Sequence, residues 1–149
     1  MTKNARSKSR TAARLAAVQA LYQYAMEGTA LPRLLDEFHR HRLGAEIEGD
    51  QYLAAEQDFF DGIVEGVIAR YEEIDELLAA RLSETWSIER LDRTMLQILR
   101  AGVWELLARA DVPTPSIISE YVDVAHAFFE KREAKFANAV LDAVAKEVR

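Results

Sequence analysis

The sequence predicts an all-α fold, a compact bundle of about seven helices in two packed helical subdomains, and three observations predict it. Apolar residues recur at intervals of three and four along most of the chain. No segment alternates apolar and polar residues with period two over a useful length, so strands are not expected. The six Gly and three Pro cluster at a few points, which favours long helices with short connections.

The first helix is predicted over Thr11 to Met26, where Leu15, Val18, Leu21, Tyr22 and Ala25 form a stripe and Glu27-Gly28-Thr29 ends it. A second, weaker helix starts near Leu31-Pro32 and carries Leu34, Leu35 and Phe38. Arg40 to Asp50 is polar, with Gly44 and Gly49, and reads as a loop. The third helix covers Leu53 to Tyr71, with Phe60, Ile63, Val64, Val67 and Tyr71 on one face. A short fourth helix spans Ile74 to Leu82, and Ser83 to Ser87 is a connection. Ser87 is the expected N-cap of the fifth helix, Ile88 to Arg109, striped by Leu91, Met95, Ile98, Leu99, Gly102 and Leu106. After the break at Asp111-Val112-Pro113, Thr114-Pro115 places a capping hydroxyl before a helix-starting proline. The sixth helix then shows Ile118, Tyr121, Val122, Ala125 and Phe128. The charged stretch Glu130 to Glu133 separates it from a last helix bearing Phe136, Val140, Leu141, Val144 and Val148. The loop near Arg40 to Asp50 suggests two helical halves sharing one core, so residues 1–149 are expected to form a single helical domain with residues 1–10 as a flexible basic arm.

Charge is distributed unevenly. The net charge is −6, yet Lys3, Arg6, Lys8, Arg10 and Arg14 precede the first acid, Glu27, and the remaining 14 basic and 25 acidic residues give −11. A basic, acid-free head on an acidic body would attract a polyanion at one end and repel it elsewhere. No apolar run approaches the roughly 20 residues of a membrane span, and a cytoplasmic protein is expected.

Catalytic chemistry finds little support. There is no Cys, which removes thiolate nucleophiles, disulfides and Cys-based zinc sites. His39 and His41 flank Arg40, and His126 stands alone, so these read as solvated surface histidines rather than metal ligands. The pairs Asp58/Asp61 and Glu120/Asp123 share helix faces, as acid–base chemistry would require, but this spacing is common on exposed faces. Gly66 and Gly102 are isolated helical glycines, not a phosphate loop. The aromatic residues are core by default, although Phe59-Phe60 and Phe128-Phe129 cannot both point inward, which places one of each pair at a helix junction or a partner surface. No catalytic residue, metal or cofactor is expected.

Single-stranded RNA is held by cations on its phosphates and by aromatic or guanidinium planes against its bases. The head supplies the cations, and Gln19 and Tyr22 follow Arg14 along the first helix. Two other readings stay open, a solubilising tail and an organellar transit peptide. Against the latter, removing the first helix would take Leu15, Val18 and Leu21 from the core.

Six stretches resemble the NusB family in order and spacing across nearly the whole chain. These are Arg14-Leu15-Ala16-Ala17-Val18-Gln19-Ala20-Leu21-Tyr22, Phe60 to Val67, Ile98-Leu99-Arg100-Ala101-Gly102-Val103-Trp104-Glu105-Leu106, Asp111-Val112-Pro113, Ile118-Ser119-Glu120-Tyr121-Val122, and Phe136-Ala137-Asn138-Ala139-Val140-Leu141-Asp142. Where relatives have Phe-Gly this chain has Phe128-Phe129; Ser119 stands for Asn, and Thr11 and Ala12 stand where relatives can have arginines.

The resemblance implies a non-catalytic, all-α transcription antitermination factor that binds the boxA element of ribosomal RNA leaders. It would act together with the small-subunit ribosomal protein NusE, and the pair would join the antitermination complex on RNA polymerase. It implies RNA contacts at Arg10 and Arg14, with Arg6 and Lys8 beside them, and a nearby RNA surface at Lys135-Phe136. Gln19 and Tyr22 complete the expected RNA-binding set. Glu84, Trp86 and Arg90 mark the expected NusE face, and Asn138 is expected to anchor neighbouring backbone. The free chain is a candidate homodimer. The alternative is a helical protein–protein adaptor or homodimer without an RNA role. An enzyme-associated module is a further rival, because NusB-like domains occur fused to RNA methyltransferases, but no S-adenosylmethionine-binding segment occurs in these 149 residues.

Overall fold

The computed structural model describes residues 3–41, 50–83 and 86–149, with side chains described from residue 8 and, in the second stretch, from residue 56. Among the described residues there are seven α-helices and no strand: α1 (Lys3–Glu27), α2 (Leu31–His41), α3 (Asp50–Ala69), α4 (Tyr71–Arg81), α5 (Arg93–Ala108), α6 (Thr114–Phe128) and α7 (Lys131–Val148). The chain divides into two compact units, Met1–Gly66 and Val67–Arg149, with the boundary inside α3.

In the first unit, α1 begins eight residues before the predicted start, so residues 3–10, expected as an arm, are helical. Ala13, Ala17, Val18, Ala20 and Leu21 are fully buried along α1, and these mostly small side chains allow close approach of neighbouring helices. Tyr22 and Ala25, predicted for the core stripe, are exposed. Gly28 ends the helix with φ +68, its N–H donating to the Tyr24 carbonyl at 3.1 Å, the left-handed stop that glycine adopts without a steric penalty. The fixed end of α2 is its apolar face: Leu34 and Phe38 are buried, and Phe38 stacks on Phe60 of α3 at 5.4 Å between centroids. His39, expected to be solvated, instead lies 2.6 Å from the Asp61 carboxylate and edge-on to Phe60. Phe59 and Phe60 are both buried, Phe60 against α2 and Phe59 at the junction with α1. The predicted loop at 42–49 lies outside the described residues.

The second unit is organised around α5, which packs against α4, α6 and α7. Buried residues run along α5 from Met95 to Leu106 with few interruptions. The fifth helix starts later than predicted: Ser87 precedes only a 3₁₀ turn, Ile88–Arg90, and gives no side-chain cap. The N-cap is Asp92, whose carboxylate accepts from the backbone N–H of Thr94 at 2.8 Å and Met95 at 3.1 Å. Thr114 is likewise the first residue of α6 rather than its cap. Glu130 to Glu133, read as a separator, is the start of α7: Glu130 and Glu133 form a reciprocal capping box. Phe129, in extended conformation, turns the chain between α6 and α7 without glycine.

Several groups that enter this interior are met by specific partners, whereas the buried Gln97 amide of α5 has no hydrogen-bond partner. A β-carbon on Gly102 would lie 2.8 Å from Leu141, so α5 and α7 touch where only glycine fits without displacement. The buried Tyr121 hydroxyl donates to the buried Glu105 carboxylate. Arg100 donates twice to Asp75, at 2.9 and 2.8 Å, and lies over the Tyr71 ring at 4.6 Å. Because a lysine can reproduce neither the two-pronged bond nor the stacking, Arg100→Lys is expected to cost about 1–2 kcal/mol. Urea unfolding should show a lower midpoint with an unchanged m-value.

Candidate nucleic-acid interface

Helical geometry sorts the basic head into two sides. Lys8, Gln19 and Tyr22 fall along one ridge of α1 at helical spacing, and all three are exposed; Met26 continues the ridge. Arg10 and Arg14 lie on the opposite side. Arg14 is only 3% exposed and Arg10 is half-buried. The guanidinium carbons of both sit over the Phe59 ring of α3, at 4.7 Å for Arg10 and 4.9 Å for Arg14. Arg14 is therefore turned inward and meets no ligand directly in this conformation, whereas Arg10 keeps an accessible portion. Arg6 lies in α1, but its side chain is outside the described residues.

The sequence places one member of the Phe59-Phe60 pair at a helix junction or a partner surface, without saying which, and does not link it to the arginines. Nothing in the spacing along α1 points to a ring 45 positions beyond Arg14. One turn before Phe59, Glu56 was missed as well. It is 1% exposed, neither carboxylate oxygen has a hydrogen-bond partner, and burial pushes its pKa above the ordinary 4.5.

The remaining expected residues belong to the second unit. Lys135 is exposed on α7, and the half-buried Phe136 has its ring 6.1 Å from that of Trp86. Trp86, itself 50% exposed, borders with Leu91, Met95, Phe129 and Phe136 a largely apolar groove of about 400 Å³, rimmed by Asp92, Arg132 and Glu133. Arg90 is exposed nearby in the chain, and Glu84 is outside the described residues. Asn138 is exposed beside a second, separate cavity with Thr114, Ser119 and Asp142. Among the described residues no group of three His, Asp or Glu could hold a metal ion, and no helix is long and apolar enough to cross a membrane.

Two helical units, one with a stacked basic helix and the other with an aromatic groove, define a small all-helical binding protein. The profile described as the NusB family matches residues 11–146. The chain is 68% identical over 142 residues to the transcription antitermination protein NusB of Novosphingobium aromaticivorans, covering 95% of this chain and 96% of that one. It is 60% identical over 146 residues to the protein of the same name from Sphingopyxis alaskensis, covering 98% of each. Among solved structures, T. maritima NusB superposes with a TM-score of 0.77 at 30% identity, over 93% of this chain and 91% of that one. NusB in a complex of the antitermination factors NusB and NusE with double-stranded RNA gives 0.75 at 26% identity, over 94% and 98%. The chain belongs to the NusB family, and it is a non-catalytic transcription antitermination factor.

Glu56 makes the first unit sensitive to pH. A carboxyl whose folded pKa is raised holds its proton in the native state after the unfolded chain has lost it. Native stability therefore falls as pH rises above about 4.5 towards the raised value. Glu56→Gln should remove that loss. Unfolding measured across pH should find the variant gaining on the wild type as pH rises from 4.5, with the difference smallest below it.

Proposed function

We propose that this chain binds the boxA element of ribosomal RNA leaders as a heterodimer with the ribosomal protein NusE, and that the pair joins the antitermination complex on RNA polymerase in the cytoplasm. One observation carries the reading: a basic first helix with no acid before its last residue, Glu27, and with two of its guanidinium groups gathered at one ring, in a chain whose remainder is acidic. The similarity to a NusB protein solved with NusE and double-stranded RNA supports it.

Lys8 and Arg10, with Arg6, meet phosphates; Gln19 and Tyr22 face bases along the exposed ridge of α1; and Lys135 and Phe136 contribute from α7. Arg14 acts from within, through its contact with Phe59. NusE docks at the groove of Trp86 and Phe136, where an exposed indole and an apolar lining suit a protein partner. The acidic body repels RNA and restricts it to the basic helix.

Fluorescence-anisotropy titration of single-stranded boxA RNA and a scrambled control, with and without NusE and at two salt concentrations, tests the assignment. Selective, NusE-enhanced binding is expected, with a log–log salt slope of about −0.7 per phosphate contact. Lys8→Ala and Arg10→Ala should each weaken binding and make the slope shallower by about 0.7. Equal, weak binding to both RNAs, unchanged by NusE, would contradict the reading and leave a helical adaptor.

A further inference from the structure

The walls of the aromatic groove in the second unit are not equally secured. Leu91 and Met95 are buried, and Arg93 fastens the turn beside them by donating to the Ile88 carbonyl at 2.6 Å and the Leu91 carbonyl at 2.8 Å. Trp86 has less to hold it. Its backbone N–H donates to the Ser83 carbonyl at 2.9 Å and its ring lies 6.1 Å from that of Phe136. Among the described residues its indole N–H has no hydrogen-bond partner, and half of the residue is exposed. An exposed indole samples several rotamers, and a partner that covers it must fix one. Charge separates the two sides of Phe136. Asp92 and Glu133 on the groove rim outnumber Arg132, which is itself paired with Glu133 at 3.2 Å, so the groove repels a phosphate. Lys135 does not line the groove, is exposed, and makes no ion pair among the described residues. A protein side chain therefore suits the groove, RNA suits the Lys135 side, and Phe136 stands between them.

We propose that Trp86 is a positioning residue through which NusE raises the affinity of this chain for RNA. NusE places an apolar side chain in the groove and a carbonyl on the indole N–H, the pairing that an amphipathic ring at an interface accepts. The covered indole is held against Phe136, so the Phe136 ring meets RNA already oriented. The inference rests on the reading above, in which NusE takes the groove and RNA the surface at Lys135-Phe136. It adds that the two partners communicate through one pair of rings, and such coupling acts equally in both directions. The competing account is that NusE raises affinity only through RNA contacts of its own, with Trp86 as a passive anchor.

The full chain is titrated with single-stranded boxA RNA, alone and with NusE held at saturation, as wild type, Trp86→Phe, Trp86→Ala and Phe136→Leu. Saturating NusE separates coupling from weakened docking, and thermal unfolding of each variant reports structural loss. Trp86→Ala is expected to bind RNA within about twofold of wild type when alone, while the gain conferred by NusE falls about fivefold. The gain that RNA confers on NusE binding should fall by the same factor. Trp86→Phe, which keeps a ring against Phe136, should retain most of the gain. Phe136→Leu, which keeps the groove apolar but removes the ring, should lose it as Trp86→Ala does. In a chain carrying 5-fluorotryptophan, the fluorine signal of Trp86, assigned with Trp86→Phe, should shift when NusE is added.

Three results would overturn the proposal: an undiminished gain in Trp86→Ala at saturating NusE, an equal loss of RNA affinity in that variant with and without NusE, or a Trp86 fluorine signal that NusE leaves in place. The second of these would make Trp86 a direct RNA contact. If Trp86→Ala does not fold or does not bind NusE, Phe136→Leu and the fluorine signal decide the question, and an undiminished gain in Phe136→Leu sinks the role. A wild-type chain that gains no RNA affinity from NusE overturns the parent reading together with this role. A gain that ignores positions 86 and 136 overturns this role alone.

Discussion

The first unit depends on accommodating one charge. Arg14 sits on α1 between Ala13 and Ala17 in the fully buried stripe, and it is itself buried. A guanidinium taken out of water costs several kcal/mol unless something attractive meets it. The Phe59 ring is one group that meets it, and the next residue of the same α3 turn, Phe60, stacks on Phe38 of α2. The basic head is thus a property of three helices. Two of its cations, Arg10 and Arg14, lie over the Phe59 ring of α3, and small residues line the buried side of α1. Phe60 and Asp61 hold α2 through Phe38 and His39, while Phe59 holds α1, so three consecutive residues serve both neighbours.

The second unit solves a related problem around α5. A helix buried along most of its length pays for polar groups left unmet, and in α5 only some are met: the buried Gln97 amide has no hydrogen-bond partner. Arg100 is paired with Asp75, Glu105 receives the Tyr121 hydroxyl, and the Asp92 carboxylate takes up the first N–H groups. At the far end of α5, Arg149 donates to the carbonyls of Glu105, Leu106 and Arg109, as well as to that of Val112 beyond them, and the Glu105 and Arg109 carbonyls each accept a backbone N–H as well. These bonds hold α7 in register with α5. That register leaves Lys135 on the exposed side of α7 and Phe136 at the edge of the Trp86 groove.

Much of this was legible in the sequence where the physical signal was local. Apolar periodicity located every helix, and the glycine at 28 marked a true stop. Starts were less legible, because several polar residues in a row compete for one cap. Ser87 and Asp92 are both good caps, and only the carboxylate of Asp92 falls where the α5 N–H groups converge. Glu130 to Glu133 looked like a charged linker because a capping box and a loop have similar composition. At the candidate interface, charge asymmetry singled out α1, but it could not separate Arg10 and Arg14 from the ridge of Lys8, Gln19 and Tyr22. That separation follows from which side of α1 is buried, and burial is decided by α3. Glu56 was invisible for the same reason, since a lone carboxylate within an apolar stripe reads as an interruption until its neighbours close over it.

RNA is proposed to meet this protein along its first helix. Ultraviolet crosslinking of the chain to boxA RNA in the presence of NusE, with the crosslinked residues read by mass spectrometry, tests it most directly. Crosslinks concentrated on α1 between Lys8 and Tyr22 and at Lys135-Phe136, absent with scrambled RNA, are the predicted result. Crosslinks confined to the acidic helices α4 and α6, or spread evenly over the chain with either RNA, would contradict it.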